Sequence, residues 1–391
     1  MRIMIAGYFP VDASRPYGGI ESVLQDLHDG FKYYFPQHEF VFFTCRTDIA
    51  KSFKIIDRNV TRSYKKVPAI PQSINNYTFE FYSTLYAIRR IQPDVIHAHN
   101  LSGYALAAVL SGYPNLVTPH GDLIMEQKLN THNNLYLKTK LILYSLLYLI
   151  IFKKAQSFSW ISPHIEKLFK SRLGRNQLSF RTLNPINPIF YTSRTKKTDS
   201  LKLIYASRFT KGKNLEMAFA VIREISKQNL DVKLYIAGLP DKNYENDFKL
   251  LLEHNKDIIN EHIILTGQLD INSLAEEMHS SWIYFHPSIQ EISSTAIAQA
   301  MACGLPVVGT RIPGNEHLVI TGVNGYLVEN KLSEFYGTIV RIAGDTCLRD
   351  RFAQESSRLS SKFSLDKVVS DYMEVYSLLK NEYPVIKKLP S

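Results

Sequence analysis

The stretch Tyr284 to Thr310, YFHPSIQEISSTAIAQAMACGLPVVGT, constrains this chain more than any other. It reads as strand, loop, helix, turn, strand. Trp282 to Phe285 is an apolar run of strand length, and His286-Pro287-Ser288 ends it. Ser293, Ser294 and Thr295 are capping residues before a helix of small side chains, Ala296, Ala298, Ala300 and Ala302. Gly304 can take the left-handed conformation that closes the helix, and Pro306-Val307-Val308 begins the next strand. Such a unit joins parallel strands, so the chain is expected to build parallel α/β sheets. The start of a helix just beyond a strand's carboxyl end suits an anion, because its N–H groups and dipole point outward. Glu291 stands at the mouth of that loop. Gln299 lies on the helix, with seven residues between the two. A crossover with no ligand has the same outline, so the stretch does not settle a function by itself.

The alternation of strands and helices occurs twice. Arg2 to Ala6, Glu39 to Cys45, Pro93 to His97, Asn115 to Thr118 and Ser157 to Ile161 read as strands of a first sheet, Ser157 to Ile161 being the last strand of the N-terminal domain along the chain. The loop Gly7 to Gly19 leads into a helix from Ile20 to Phe31. Gly18-Gly19 opens that helix and would let the backbone approach a ligand. Periodicity is lost between Leu173 and Ser200. Strands then resume at Leu201–Ala206, Lys233–Ala237, Ile263–Thr266 and Gly325–Val328, with three helices closing the chain. With 391 residues, 45% of them hydrophobic, two domains are expected. We place an N-terminal Rossmann-like domain at 1–183, a linker at 184–200, a C-terminal Rossmann-like domain at 201–364, and a helix at 365–391 packing back toward the first domain.

Charge and cysteine narrow the partners. The net charge of +10 favours anionic ligands or surfaces. The sequence has neither zinc-finger spacing nor an RNA-recognition signature, so nucleic acid is not expected as a partner. The three cysteines, Cys45, Cys303 and Cys347, have no metal-ligand spacing and fit free thiols in a reducing compartment. MRIMIAG reads as a strand and not as a signal peptide. Two stretches bear on membranes. Lys51, Lys54, Arg58, Arg62, Lys65 and Lys66 face one acid, Asp57; they form either a solvated face or a patch for acidic headgroups. Asn134 to Ala155 is a helix apolar nearly all round with lysines at its ends (Lys138, Lys140, Lys153, Lys154). It is either buried or dips into a membrane surface.

The remaining candidates carry chemistry. Two successive strands end in histidine, at His97-Ala98-His99 and at Thr118-Pro119-His120-Gly121-Asp122. Ligands of open α/β sheets lie beyond the carboxyl ends of strands. His120, followed by glycine, is the better candidate for substrate contact. His97 suits a core role, and His97 with His99 makes a zinc pair without an evident third ligand. Arg208 and Lys213 flank the turn from Ala206 into a helix. Cations oppose the dipole at a helix start, so they fit best where an anion binds between them. No DxD triplet is present, so a metal-clamped diphosphate is not indicated and no metal or other cofactor is expected.

In this order, YGGIE, PDVIHAHN, TPHGD, SRFTKGKN, LYIAG, LTGQLD and HPSIQE…AMACGLPVVGT, followed by GNEHLV and GVNGYLVE, the chain resembles the retaining glycosyltransferases of family 4, also called glycosyl transferases group 1. The resemblance implies the GT-B fold, two doubly wound Rossmann-like parallel-sheet domains facing a cleft. It implies a metal-independent, retaining transfer of a sugar from a nucleoside-diphosphate sugar to a glycan or lipid-linked acceptor. That acceptor would belong to cell-surface polysaccharide or lipopolysaccharide synthesis; the basic run at 51–66 and the apolar helix at 134–155 motivate a place on the cytoplasmic face of the membrane, with an anionic membrane surface as a candidate partner. Arg208 and Lys213 would bind the diphosphate. Glu291 would hold the sugar hydroxyls, near the backbone of Ile292, Ser293, Ser294 and Thr295. Gly18, Gly19, Gly238, Gln268 and Gln299 would complete the donor site, and His120 would lie by the anomeric centre. Two positions depart from the family. Gln299 stands where a second glutamate takes the ribose hydroxyls, and ISST replaces a Gly-Phe-Gly pattern after Glu291. An amide offers one acceptor and one donor group where a carboxylate accepts twice, so ribose binding is expected to be weaker or altered. A sugar-nucleotide epimerase on the same fold, and a degenerate member that binds without turnover, stay open as alternatives.

Overall fold

The computed structural model describes residues 1–12, 18–70, 72–122, 135–192, 200–228 and 230–383. Side chains are described from residue 77 in the second helix and from residue 141 in the fourth, so Lys138 and Lys140 fall outside them. Contacts divide the chain into two units. One gathers Met1–Val11, Ile20–Pro185 and Asp366–Ser391; the other gathers Asp12–Gly19 and Ile186–Leu365.

The first unit is built on an eight-stranded sheet in the order β3-β4-β2-β1-β5-β6-β7-β8. Its strands are β1 (Arg2–Ala6), β2 (Glu39–Arg46), β3 (Phe53–Asp57), β4 (Val60–Lys66), β5 (Val95–His99), β6 (Asn115–Thr118), β7 (Ser157–Ser159) and β8 (Leu178–Phe180). All neighbours run parallel except β3 and β4. Its helices are α1 (Gly19–Tyr34), α2 (Gln72–Ile91), α3 (Gly103–Leu110), α4 (Leu135–Lys154) and α5 (Pro163–Phe169). Ser102 caps α3 and Ser162 caps α5, each accepting a backbone N–H, with Pro163 at the first turn of α5.

Two stretches that carry no strand pattern in the sequence are strands in the structure. The basic run from Lys51 to Lys66 is the β3–β4 edge hairpin. Its cations mask the pattern, and on a short exposed edge they keep other chains from pairing with it. Lys51, Lys54, Arg58 and Lys65 are exposed, and Lys32 pairs with Asp57. β8 follows β7 in the chain and pairs with it, so the Ser157 strand is not the last of this unit. Helix α4 is neither fully buried nor wholly a surface helix. Tyr144, Leu147, Tyr148, Ile151 and Phe152 are buried, while Ile142, Leu143, Leu146, Leu149 and Ile150 are exposed. Among the described residues no helix is long and apolar enough to cross a membrane.

Glu80 of α2 is 5% exposed against the start of α3, where the Tyr8 hydroxyl donates to it at 2.6 Å. Burial pushes its carboxyl up to about 7, although hydrogen bonds from Tyr8, Ser102 and the Gly103 N–H pull the other way. A carboxyl raised in the folded state gives stability that is full below its unfolded value and is lost as pH rises through its folded one. Wild-type stability in urea is therefore expected to fall between about pH 4.5 and pH 7, by on the order of 3 kcal/mol from this group. Glu80→Gln is expected to flatten that stretch of the profile, and parallel wild-type and variant slopes would contradict the assignment.

The second unit holds a six-stranded, wholly parallel sheet in the order β11-β10-β9-β12-β13-β14. These are β9 (Leu201–Ala206), β10 (Val232–Ala237), β11 (Ile263–Gly267), β12 (Ile283–His286), β13 (Val307–Thr310) and β14 (Gly325–Val328). The helices are α6 (Leu215–Ser226), α7 (Glu245–His254), α8 (Ile271–His279), α9 (Thr295–Ala302), α10 (Leu332–Gly344), α11 (Thr346–Ser360) and, grouped with the first unit, α12 (Leu365–Glu382). Leu203, Tyr205, Phe219, Ile222, Leu234, Ile283, Phe285, Val308 and Phe335 belong to its fully buried core. Residues 186–192, within the stretch read as a linker, are packed. Asn187 caps the turn Pro188–Tyr191, Phe190 is buried, and Ile186 pairs with Ser364.

Candidate active site

Most of the sequence's candidates gather at the carboxyl ends of β9 to β12 in the second unit. The Asn214 side chain clasps the turn after β9 to the loop after β12. Asn214 takes a left-handed φ of 54° before α6, and its Nδ2 donates to the Pro287 carbonyl at 3.1 Å and to Asn330 Oδ1 at 2.9 Å. The Gly212 carbonyl accepts from the Ile289 N–H at 2.9 Å and from Ser288 Oγ at 3.1 Å. This clasp brings Lys213 and Glu291 together, although 77 residues separate them in the chain.

Lys213 Nζ lies 2.5 Å from Glu291 Oε1, and His286 Nε2 lies 3.0 Å from the same oxygen. Burial alone would push the Glu291 carboxyl up. The charge of Lys213 and the His286 bond outweigh it and hold the group well below the usual carboxylate range. His286 is the residue that sequence reasoning missed. Read as a strand stop, it is instead the last residue of β12 and 1% exposed. Burial lowers its pKa, with Glu291 partly offsetting that effect. A polar residue five positions before Glu291, ending an apolar strand, was the available signal.

Ser294 caps α9, accepting the Ile297 N–H at 3.3 Å, and Ser293 Oγ lies 3.1 Å from His317 Nε2. Gly304 takes φ +68° after the helix, as its position requires. Gln299 is 6% exposed within α9. Gly238 follows β10 with φ +139°, and a Cβ there would sit 1.8 Å from the Ser207 carbonyl oxygen, so only glycine fits. Its N–H donates to the Gly267 carbonyl at 2.8 Å, which ties it to the end of β11, beside Gln268. Arg208 follows β9 by two residues. Its side chain is 44% exposed, with Asp241 at 3.6 Å. Gly19 belongs by contacts to this unit, and a Cβ on it would lie 3.8 Å from Thr295 Oγ1; nothing crowds one on Gly18.

The first unit holds the histidines. His97 is fully buried, its ring nitrogens 2.7 Å from Tyr376 Oη and 2.7 Å from Thr118 Oγ1. Both nitrogens are used, so His97 cannot act as a zinc ligand. His99 Nδ1 lies 2.8 Å from His120 Nε2, while His99 Nε2 is buried without a partner. A buried N–H left unpaired is rarer than a bare acceptor, so the proton sits on His99 Nδ1 and His120 accepts it. In that tautomer His120 carries its own proton on Nδ1. Burial lowers its imidazole to about 4, so it is neutral at physiological pH. Among the described residues no group of three or more His, Cys, Asp or Glu could hold a metal ion.

Comparison with known proteins matches this arrangement on both halves. Residues 190–357 fit the family model described as Glycosyl transferases group 1, and residues 17–180 that described as Glycosyltransferase Family 4. The chain is 23% identical to the uncharacterized glycosyltransferase MJ1069 of Methanocaldococcus jannaschii, over 85% of this chain and 88% of that protein. Among solved structures it is similar to a sucrose-phosphate synthase from Thermosynechococcus elongatus, with TM-score 0.79 and 15% identity, covering 97% of this chain and 99% of the other. It is also similar to Anabaena Alr3699/HepE in complex with UDP-glucose, with TM-score 0.72 and 17% identity, covering 97% and 100%. Two parallel-sheet α/β units of this kind are those of GT-B proteins, and the chain belongs to the glycosyltransferases of family 4 and group 1.

Proposed function

We propose that the protein is a retaining, metal-independent glycosyltransferase that moves a sugar from a nucleoside-diphosphate sugar to a glycan or lipid-linked acceptor. The observation that carries this reading is the partly buried Lys213–Glu291–His286 set beside the capped start of α9. Breaking a glycosyl–phosphate bond leaves positive charge on the sugar and negative charge on the departing diphosphate. Lys213 has three N–H donors and can keep Glu291 while meeting a phosphate oxygen. Arg208, half-exposed and near the same strand ends, offers a second cation, and the first N–H groups of α9 offer dipoles. Glu291, held ionised and fixed by His286, accepts sugar hydroxyls. His120 supplies a neutral imidazole donor. The UDP-glucose bound by the Anabaena protein makes uracil the first base to test. The acceptor reading is cell-surface polysaccharide or lipopolysaccharide synthesis at the cytoplasmic face of the membrane, with the enzyme held there peripherally.

A panel of nucleoside diphosphates is expected to raise the melting temperature of the wild type for one base, because ligand binding stabilises the folded state. Arg208→Ala is expected to lose most of that shift and to cut transfer more than about tenfold. Its unliganded melting temperature should stay close to wild type, because the side chain is 44% exposed. Wild-type transfer by the variant would remove Arg208 from the site.

The buried amide of Gln299 favours a second reading, a protein that binds the nucleotide without turnover. Gln299→Glu is expected to tighten nucleotide binding about tenfold by restoring a doubly accepting carboxylate. A wild type that binds donor but turns it over neither before nor after that change would favour the second reading.

A further inference from the structure

Five aliphatic side chains of α4 stay in water: Ile142, Leu143, Leu146, Leu149 and Ile150, with Leu149 63% exposed. At helical spacing they fall within about 120° of arc and form one stripe along the helix. Single exposed leucines are ordinary, but a contiguous stripe marks a surface that something covers. The stripe ends at exposed Lys153 and Lys154. Helix α2 lies close by, with Tyr77 packed edge-on against Tyr144 at 5.5 Å. It exposes Tyr82, Tyr86, Arg89 and Arg90, the last stacked over Tyr86 at 5.2 Å. Both helices are crossovers between parallel strands, so their cationic C-terminal ends lie at the same edge of the sheet. Glu80 is the one acidic residue in α2, α3 and α4, and it is buried.

We propose that the face formed by α2 and α4, and not the basic β3–β4 hairpin, docks on an anionic lipid surface. The proposal rests on the peripheral-membrane part of the functional reading and names the surface that would serve it. Charge decides between occupants. A second copy would bring the same cations against themselves in a chain of net charge +10, whereas anionic headgroups supply the missing sign. The stripe lies along the helix and not across a bilayer, so α4 rests in the interface plane with its leucines below the headgroups. Tyr82 and Tyr86 suit that boundary, having an apolar ring and a polar tip.

The test is co-sedimentation of the full-length protein with phosphatidylglycerol-rich and with pure phosphatidylcholine vesicles at low salt. Wild type is expected to pellet with the anionic vesicles only. Leu143→Asp combined with Leu149→Asp, and Arg89→Glu combined with Arg90→Glu, are each expected to weaken binding about tenfold or more. Lys54→Glu with Lys65→Glu in the hairpin should change it little. Leu149→Trp should still pellet, with its fluorescence shifting to the blue on anionic vesicles. Stripe variants that pellet like wild type, or an unshifted Leu149→Trp, would overturn the surface assignment while leaving the membrane reading intact. Wild type that fails to pellet would sink both. A wild-type dimer that the leucine variant dissolves would assign the face to a second copy instead. The nucleotide thermal shift, measured on every variant, judges the transferase reading separately.

Discussion

Lys213→Ala is expected to cut sugar transfer more than about tenfold and to destabilise the fold by about 3 kcal/mol. The two effects have one origin. Lys213 is the cation against a Glu291 side chain that is only 10% exposed, so its removal leaves a desolvated carboxylate that still has His286 beside it but has lost its cation. Glu291→Gln is expected to behave differently. The amide can still accept from His286, and Lys213, 23% exposed, can turn toward water. The stability loss should be nearer about 1 kcal/mol, while turnover falls at least as far as in Lys213→Ala. The double variant should recover most of the stability lost in Lys213→Ala and none of the activity. Urea melts and transfer assays on all four proteins complete the cycle. The pH dependence has a fixed sign. The folded-state pKa of Glu291 is depressed, so the pair's contribution is present above the ordinary glutamate value of about 4.3 and is lost as pH falls below it. The stability gap between wild type and the double variant should therefore shrink in acid. A gap that widens there would refute the ion pair.

Gly314→Ala is expected to damage both folding and transfer without touching any charged group. A Cβ on Gly314 would lie 2.0 Å from the Glu291 carbonyl oxygen and 2.4 Å from its carbonyl carbon. Those are backbone atoms, so no rotamer change relieves the clash and the Glu291 loop itself has to move. Overpacking of this kind costs about 3 kcal/mol. The displaced loop would also pull Glu291 from His286, so transfer should fall more than about tenfold. Gly322→Ala is a useful control for strain alone. Gly322 has φ +82° but open space around its Cβ position, so a smaller loss in melting temperature is expected. If Gly314→Ala melted and worked like wild type, the close approach of these two loops would be wrong.

Much of the second unit was legible before any coordinates. β9, β13, β14 and the small-residue helix α9 fall within a residue or two of their sequence readings, because each is a short apolar or alanine-rich run bounded by Ser, Gly or Pro. Gly304 was legible because a helix that must end before a buried strand needs a left-handed residue there. Helices α7 and α8 went unread. Asp270, which accepts the N–H groups of Asn272 and Ser273 at 3.0 Å, was a visible cap, but the polar faces around it hide the periodicity. The β3–β4 hairpin was illegible for a related reason, since its lysines and arginines serve the edge and erase the apolar alternation that marks a strand.

The sequence by itself determined the class of fold, the position of most strands in the second unit and which residue types could meet a diphosphate. These follow from local rules: period, caps and the φ preferences of glycine and proline. Only the tertiary structure decided that Lys213 and Glu291 share one oxygen contact, that His286 locks that oxygen, that Arg208 lies beside Asp241, and that one face of α4 is left apolar in water. Pairing across 77 residues depends on how sheet order brings strand ends together, and exposure depends on which neighbour covers a helix; neither quantity is encoded in the spacing of residues along one segment.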